Sequence, residues 1–438
     1  MKLLFVMPIL VFSSCMPIKN VSRDTDPFRH SGQPGGSIIN PNLPGSLLSE
    51  CHHGDGICTP GCPAEADSDC RCGPLKDRLT ISDIPVDTPV ALQQEDVSED
   101  MMMSSSPKPM ILSPLSSGDS KIGWVDRNGK FHITPVSMHD KRTGSDLITQ
   151  GDIYRDMIAH EDGAAVLFIK GQDMFLVRLN QSGGEVFSVK LTGLDSGHTS
   201  NDFHYGSIAW NGERYAAYYG VHGGGHEGDS LHYIDATGRV LEGGWSWGCS
   251  HSMDMRIIAT GQTFVPICIS DCYPEKGIIF NAQQLISAED GNCGGSTDAR
   301  FGGIVDINDR IMIGFASKQK KNAWDVAITG IKKTSADSTA EVIQKSWLTE
   351  TPGDERYVKI ARYGSRMMLT AWDSGASSQE SVVQLLDADG KPLGSQERIP
   401  VQIPARGDFK TFPNGDIGWV SAWGDANTVK LVRLRYCE

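Results

Sequence analysis

Seven times from about residue 108 onwards, the chain repeats one pattern: an apolar or alternating strand, a turn on Gly or Asn, and a second strand rich in aromatic and β-branched residues. The segment Ile158–Phe168 can be laid over Ile208–Tyr218 and over Ile258–Cys268. Further copies run Ile304–Phe315, Ile360–Trp372 and Phe409–Trp423, and a weaker one surrounds Gly118 and Trp124. The turn positions Gly118, Gly163, Gly212, Gly261, Asn308, Gly364 and Gly415 are spaced by 45 to 56 residues, close to the length of a four-stranded propeller blade. Second hairpins at Leu231–Leu241 and Val383–Gly390 supply third and fourth strands. A β-sandwich array or a β-helix would not need four strands in each period. The sequence therefore predicts an all-β, seven-bladed β-propeller over residues 108–438.

The last copy is one strand short of a blade, which leaves an open sheet edge. Within the linker 74–107, the stretch Leu79–Leu92 is apolar enough to fill it, and its prolines Pro85 and Pro89 require an outermost position. Composition agrees with the all-β reading, because 48 glycines and 22 prolines suit many tight turns, while 39% hydrophobic residues supply a core. A formal net charge of −14 argues against a nucleic-acid partner, which needs a concentrated basic surface.

Met1-Lys2, an apolar run Leu3–Phe12 and the small residues Ser13-Ser14 have the layout of an export signal over residues 1–14. The run is too short to span a bilayer, for which about 20 apolar residues are needed. Phe12-Ser13-Ser14-Cys15 resembles the lipobox of bacterial lipoproteins and departs from it at Phe12, where Leu is usual. The resemblance implies acylation of Cys15 and a membrane anchor, and Met16 after the cysteine implies the outer membrane, on its periplasmic or cell-surface side. Residues 15–50, rich in Pro, Gly, Ser and Asn, read as a disordered tether.

Ten cysteines remain once Cys15 is set aside, an even number that suits disulfides in an oxidising compartment. Cys51, Cys58, Cys62, Cys70 and Cys72 crowd residues 51–73, a small disulfide-rich segment; Cys249, Cys268, Cys272 and Cys293 share a later region; Cys437 stands at the end. The simplest arithmetic pairs the middle four among themselves and gives Cys437 to the odd cluster. Gly54–Cys62 with Asp67–Cys70 resembles cysteine-rich segments of Gram-negative envelope proteins, which implies location rather than activity. His52, His53, Asp55, Asp67 and Asp69 offer a competing metal reading, but their spacing fits neither a zinc ribbon nor a calcium loop.

Six of the twelve histidines, His198, His204, His222, His226, His232 and His251, lie in the third repeat and its flanks. In His222-Gly-Gly-Gly-His226-Glu227-Gly228-Asp229 the glycines let imidazole and carboxylate groups converge, so His222, His226, Asp229 and His251 are candidate ligands for a divalent ion, zinc or calcium. Ser230 stands where a helical His-Glu-x-x-His site needs its second histidine. Trp245 and Trp247 suit stacking on sugar rings, or else packing between blades. Nucleophilic chemistry finds little support, because the one Gly-x-Ser-x-Gly match, Gly244-Trp245-Ser246-Trp247-Gly248, falls in an all-β repeat and not at a strand-to-helix elbow, and no phosphate-binding loop is present.

These features favour a lipid-anchored, non-catalytic module whose propeller binds a protein or polysaccharide outside the cytoplasm. A metal-dependent polysaccharide lyase or hydrolase built on the third-repeat histidines is the alternative, and a scaffold of an envelope assembly is a third. If one acylated cysteine carries the anchor, Cys15→Ala abolishes fatty-acid incorporation and moves the protein from the membrane pellet to the soluble fraction. Unchanged fractionation would exclude the anchor.

Overall fold

A computed structural model describes residues 73–91, 110–193, 198–200, 206–250, 254–281, 283–287, 299–319, 323–333, 341–365, 367–373, 380–403, 407–421 and 426–436. The signal, tether and cysteine-rich segment lie outside these residues, as do Cys293, Cys437, His204, His251 and Trp423. Among the described residues, no helix is long and apolar enough to cross a membrane.

Seven antiparallel sheets follow one another along the chain. Blade one comprises Ile111–Pro114, Ser120–Val125, Phe131–Val136 and Leu147–Thr149; blade two runs from Ile153 to Lys190; blade three from Thr199 to Trp245; blade four from Met255 to Ser287; blade five from Ala299 to Trp347; and blade six from Arg356 to Ile399. Blade seven is composite: Lys410–Thr411, Ile417–Ser421 and Thr428–Leu434 are completed by Leu79–Pro85. The first strands of successive blades touch one another in an unbroken circuit, blade seven against blade one included, so they surround the axis.

Six of the seven turn positions of the repeat lie between the first and second strands of their blades, and Gly163 opens the second strand of blade two. Gly118, Gly163, Gly212, Gly261, Gly364 and Gly415 have positive φ, as does Asn308 at 52°, the backbone region in which Gly and then Asn carry the least steric cost. Elsewhere the side chain caps the turn: Asp126, Asn180, Asp235 and Asp387 each accept amide hydrogens from residues two and four positions ahead. Strand direction then sorts the ring into two rims. The turn rim carries these first turns and the third-to-fourth turns, while the connection rim carries the second-to-third turns and the links between blades.

Sheet faces interlock through large apolar side chains, with Trp124, Trp372 and Trp419 on the second strands of blades one, six and seven fully buried. Ring closure has its own machinery. Leu79–Pro85 pairs residue for residue with Thr428–Leu434, from Leu79 opposite Leu434 to Pro85 opposite Thr428. Ile84 and Val90 then pack with Leu112 and Trp124 of blade one and Val420 and Leu431 of blade seven.

On the turn rim, Asp140 of blade one receives Arg433 at 2.5 Å and Arg435 at 2.6 Å, and Arg435 also reaches Asp416 at 3.0 Å. Arg433 and Asp140 are 1% and 2% exposed, and the guanidinium lies 3.6 Å from the Phe412 ring centroid. Breaking one side of a buried ion pair strands the other charge, at about 3–5 kcal/mol. Asp140→Ala should therefore lower unfolding free energy by about that amount, read as a fall in urea midpoint at constant m-value. A loss under about 1 kcal/mol would mean that strand pairing alone closes the ring.

Candidate functional site on the connection rim

The second and third strands of blade three, Arg214–Gly223 and His226–Asp235, have ten residues each. No other described second or third strand exceeds eight. Gly224 and Gly225 join them with φ of 61° and 82°, the two left-handed positions that a tight hairpin turn demands. The hairpin thus overreaches its neighbours and ends on the connection rim.

His222 and His226 are exposed at its tip. Their register separates them: His222 lies opposite Glu227 and Gly223 opposite His226, so the two imidazoles leave opposite faces of the ribbon. Asp229, expected to turn outwards with them, turns inwards. It is fully buried, with Tyr218 donating its hydroxyl to Oδ2 at 2.6 Å and Trp245 donating Nε1–H to Oδ1 at 2.8 Å. Burial, reinforced by the Asp229 charge, pushes the Tyr218 phenol well above its usual pKa and keeps it a donor. The reason is register: Asp229 sits opposite Gly220, well inside the ladder, where a carboxylate survives only with donors of its own.

Cys249 and Cys268 form a disulfide that ties the connection leaving blade three to the second strand of blade four. Cys272 is disulfide-bonded as well. Asp229, Cys249 and Cys268 offer ligand atoms within 4.8 Å of one another, but both sulfurs are in the disulfide and both carboxylate oxygens have donors, so this group does not fit a bound ion.

Trp245 is held by Asp229 and by an edge contact with Tyr218 at 5.8 Å. Trp247 is different. It is half-buried, lies against His198 with ring centroids 4.9 Å apart, and covers Gly228, where any Cβ would come within 2.8 Å of the indole. His198 in turn covers Gly223, where a Cβ would meet its ring at 2.1 Å, and its Nδ1 is 3.2 Å from the Ser246 carbonyl oxygen. Glycines in the hairpin therefore seat the two rings. His232 is buried within its strand beside Tyr219.

Beside this hairpin, near the connection-rim ends of the first strands, lies a cluster that motif reading missed. Arg256 of blade four reaches across the axis to Asp408 before blade seven, at 2.9 Å, and also pairs with Asp254. Burial drives the Asp408 carboxyl up, but Arg256, Lys410 and Lys359 outweigh it and hold the group below its usual pKa. Asp156 of blade two moves the other way because its burial dominates, although it accepts the amides of Met157 and Ile208 and the Ser207 hydroxyl. The mouth of the axis thus carries a cluster of neighbouring charges of both signs. Its signal in the sequence is charge at the start of otherwise apolar first strands: Asp156, Asp254, Arg256, Lys359, Asp408 and Lys410.

No protein-family model matches the chain, and no curated protein matches it. Among solved structures, a prolyl endopeptidase is similar at 11% identity and a TM-score of 0.42, over 71% of this chain and 44% of that one. The chain thus spans less than half of that protein's length. The Penicillium chrysogenum alpha-L-arabinanase complexed with arabinobiose is similar at 10% identity and a TM-score of 0.43, over 81% of this chain and 99% of that one.

The two kinds of residue in the third blade should separate in stability measurements. Asp229→Ala leaves two buried donors without an acceptor, at about 1–3 kcal/mol each, whereas His222→Ala and His226→Ala should change stability by less than about 0.5 kcal/mol. Chemical denaturation of the three variants checks this, and equal losses would contradict the assignment of Asp229 to the framework.

Proposed function

We propose that this chain is an exported binding module, anchored in the outer membrane through acylated Cys15, whose connection rim at blade three docks a protein or polysaccharide on the periplasmic or cell-surface side. The observation that carries this reading is the overlong hairpin. Pinned below by Asp229, Tyr218 and Trp245 and flanked by a disulfide, it presents two exposed imidazoles, one on each face, and seats the Trp247–His198 pair. A rigid aromatic and polar surface loses little conformational freedom on binding, which favours affinity.

A metal-dependent lyase or hydrolase using His222, His226, Asp229 and His251 has less support, because Asp229 is occupied inside the sheet and the first two leave opposite faces. A scaffold in an envelope assembly would use the same docking surface.

Photo-crosslinking amino acids placed at residues 222 and 226 in the mature chain should capture a partner on cells, while one at residue 262 on the turn rim should not. Trp247→Ala should cut that yield about ten-fold in a chain that circular dichroism shows to be still folded. Equal yields from both rims would overturn the docking surface. Zinc or calcium binding in calorimetry, lost in a His222→Ala, His226→Ala double variant, would restore the enzyme reading.

A further inference from the structure

We propose that the turn rim holds a second, unrelated site, a pocket between blades one and two that takes a neutral sugar of about disaccharide size. The pocket arises from an unfinished blade. Fourth strands elsewhere have five to eight residues, but in blade one Leu147–Thr149 has three and pairs only with Phe131–Ile133. Residues 137–141 turn back so that Arg142 bridges to Val136 and Thr143 donates to the Pro135 carbonyl at 3.0 Å, but Pro135 has no N–H to return, and residues 144–146 leave the ladder until it resumes at Leu147. A cavity of about 550 Å³ remains between this exposed part of blade one and the turns of blade two. That volume is within the range of small-molecule sites.

Its wall offers both donors and acceptors. Lys121 is 7% exposed, and its Nζ donates to the carbonyls of His160 and, at 2.8 Å, of Gly163. An ammonium group has three donors, so one is left for a ligand. Ser120, 1% exposed and also on the wall, has an Oγ with no hydrogen-bond partner among the described residues. Asp119 and Glu161 accept from Met138 and from Ser116 and Ser117, yet each carboxylate has capacity for further donors. Ile133 and Pro135 contribute apolar surface.

A sugar hydroxyl both donates and accepts, and the C–H face of the ring suits the apolar part. The charge balance selects against acids: Asp119 and Glu161 line the cavity against the single cation Lys121, while Asp146 on the same wall is already paired with Arg142 at 3.2 Å. A uronate or phosphate would meet that surplus of negative charge, whereas a neutral sugar does not.

Calorimetry on the full mature chain with maltose, cellobiose and N,N′-diacetylchitobiose, and with galacturonate as the anionic control, tests the assignment. At least one neutral disaccharide should bind with Kd of about 1 mM or tighter. Ser145→Trp, on the exposed loop at the cavity edge, should weaken that binding about ten-fold or more at unchanged Tm, and Glu161→Gln should weaken it in the same direction. Trp247→Ala on the opposite rim should leave it unchanged. The proposal is overturned if no neutral disaccharide binds below about 10 mM, if galacturonate binds more tightly, or if both cavity variants bind normally. Binding lost in Trp247→Ala alone would move the sugar to the connection rim, so this pocket and the docking surface fail separately.

Discussion

Everything in this fold depends on closing the ring. Seven sheets stacked about an axis bury their faces only if the last meets the first, and a three-stranded seventh blade would expose a row of unpaired amides and carbonyls. The strand Leu79–Pro85 removes that edge by pairing with Thr428–Leu434, joining segments nearly the whole length of the propeller apart in sequence. Such a contact is entropically expensive to form. The chain reinforces it with apolar packing of Ile84 and Val90 and with the buried network of Asp140, Arg433, Arg435 and Asp416.

Closure also sets what each rim can do. Because the first strands are held in a tight circuit, side chains from opposite blades meet across the axis, as Arg256 and Asp408 do. Those charges of both signs then neighbour one another at the mouth of the axis. Two departures from the regular blade pattern stand out. Blade three is too long on the connection rim, and blade one is too short in its fourth strand on the turn rim. The first makes a protrusion and the second a pocket.

Much of the blade pattern is legible because it is local. A left-handed turn residue such as Gly212 or Asn308, with alternating apolar residues on either side, specifies a hairpin wherever it occurs. The candidate site is less legible. A run of histidines and an aspartate within eight residues reads as one cluster, yet a β-ribbon alternates its side chains, sending His222 and His226 to opposite faces, while Asp229, on the face of His222, lies deep enough in the ladder to be buried. His198 and the axial charges are missed for a different reason, since their partners come from distant segments: Ser246 and Trp247 for His198, Asp408 for Arg256.

By itself the sequence determined the class of architecture, the number of blades and the places where the chain turns, because strand period and turn chemistry act over a few residues and repeat at a fixed length. Tertiary structure alone decided which polar groups face solvent and which serve the framework. Asp229 shows why: a carboxylate is a ligand or a pin according to whether donors from other strands reach it, and Tyr218 and Trp245 do. The same holds for Lys121, whose place on a cavity wall depends on the turns of blade two and on a fourth strand that stops after three residues.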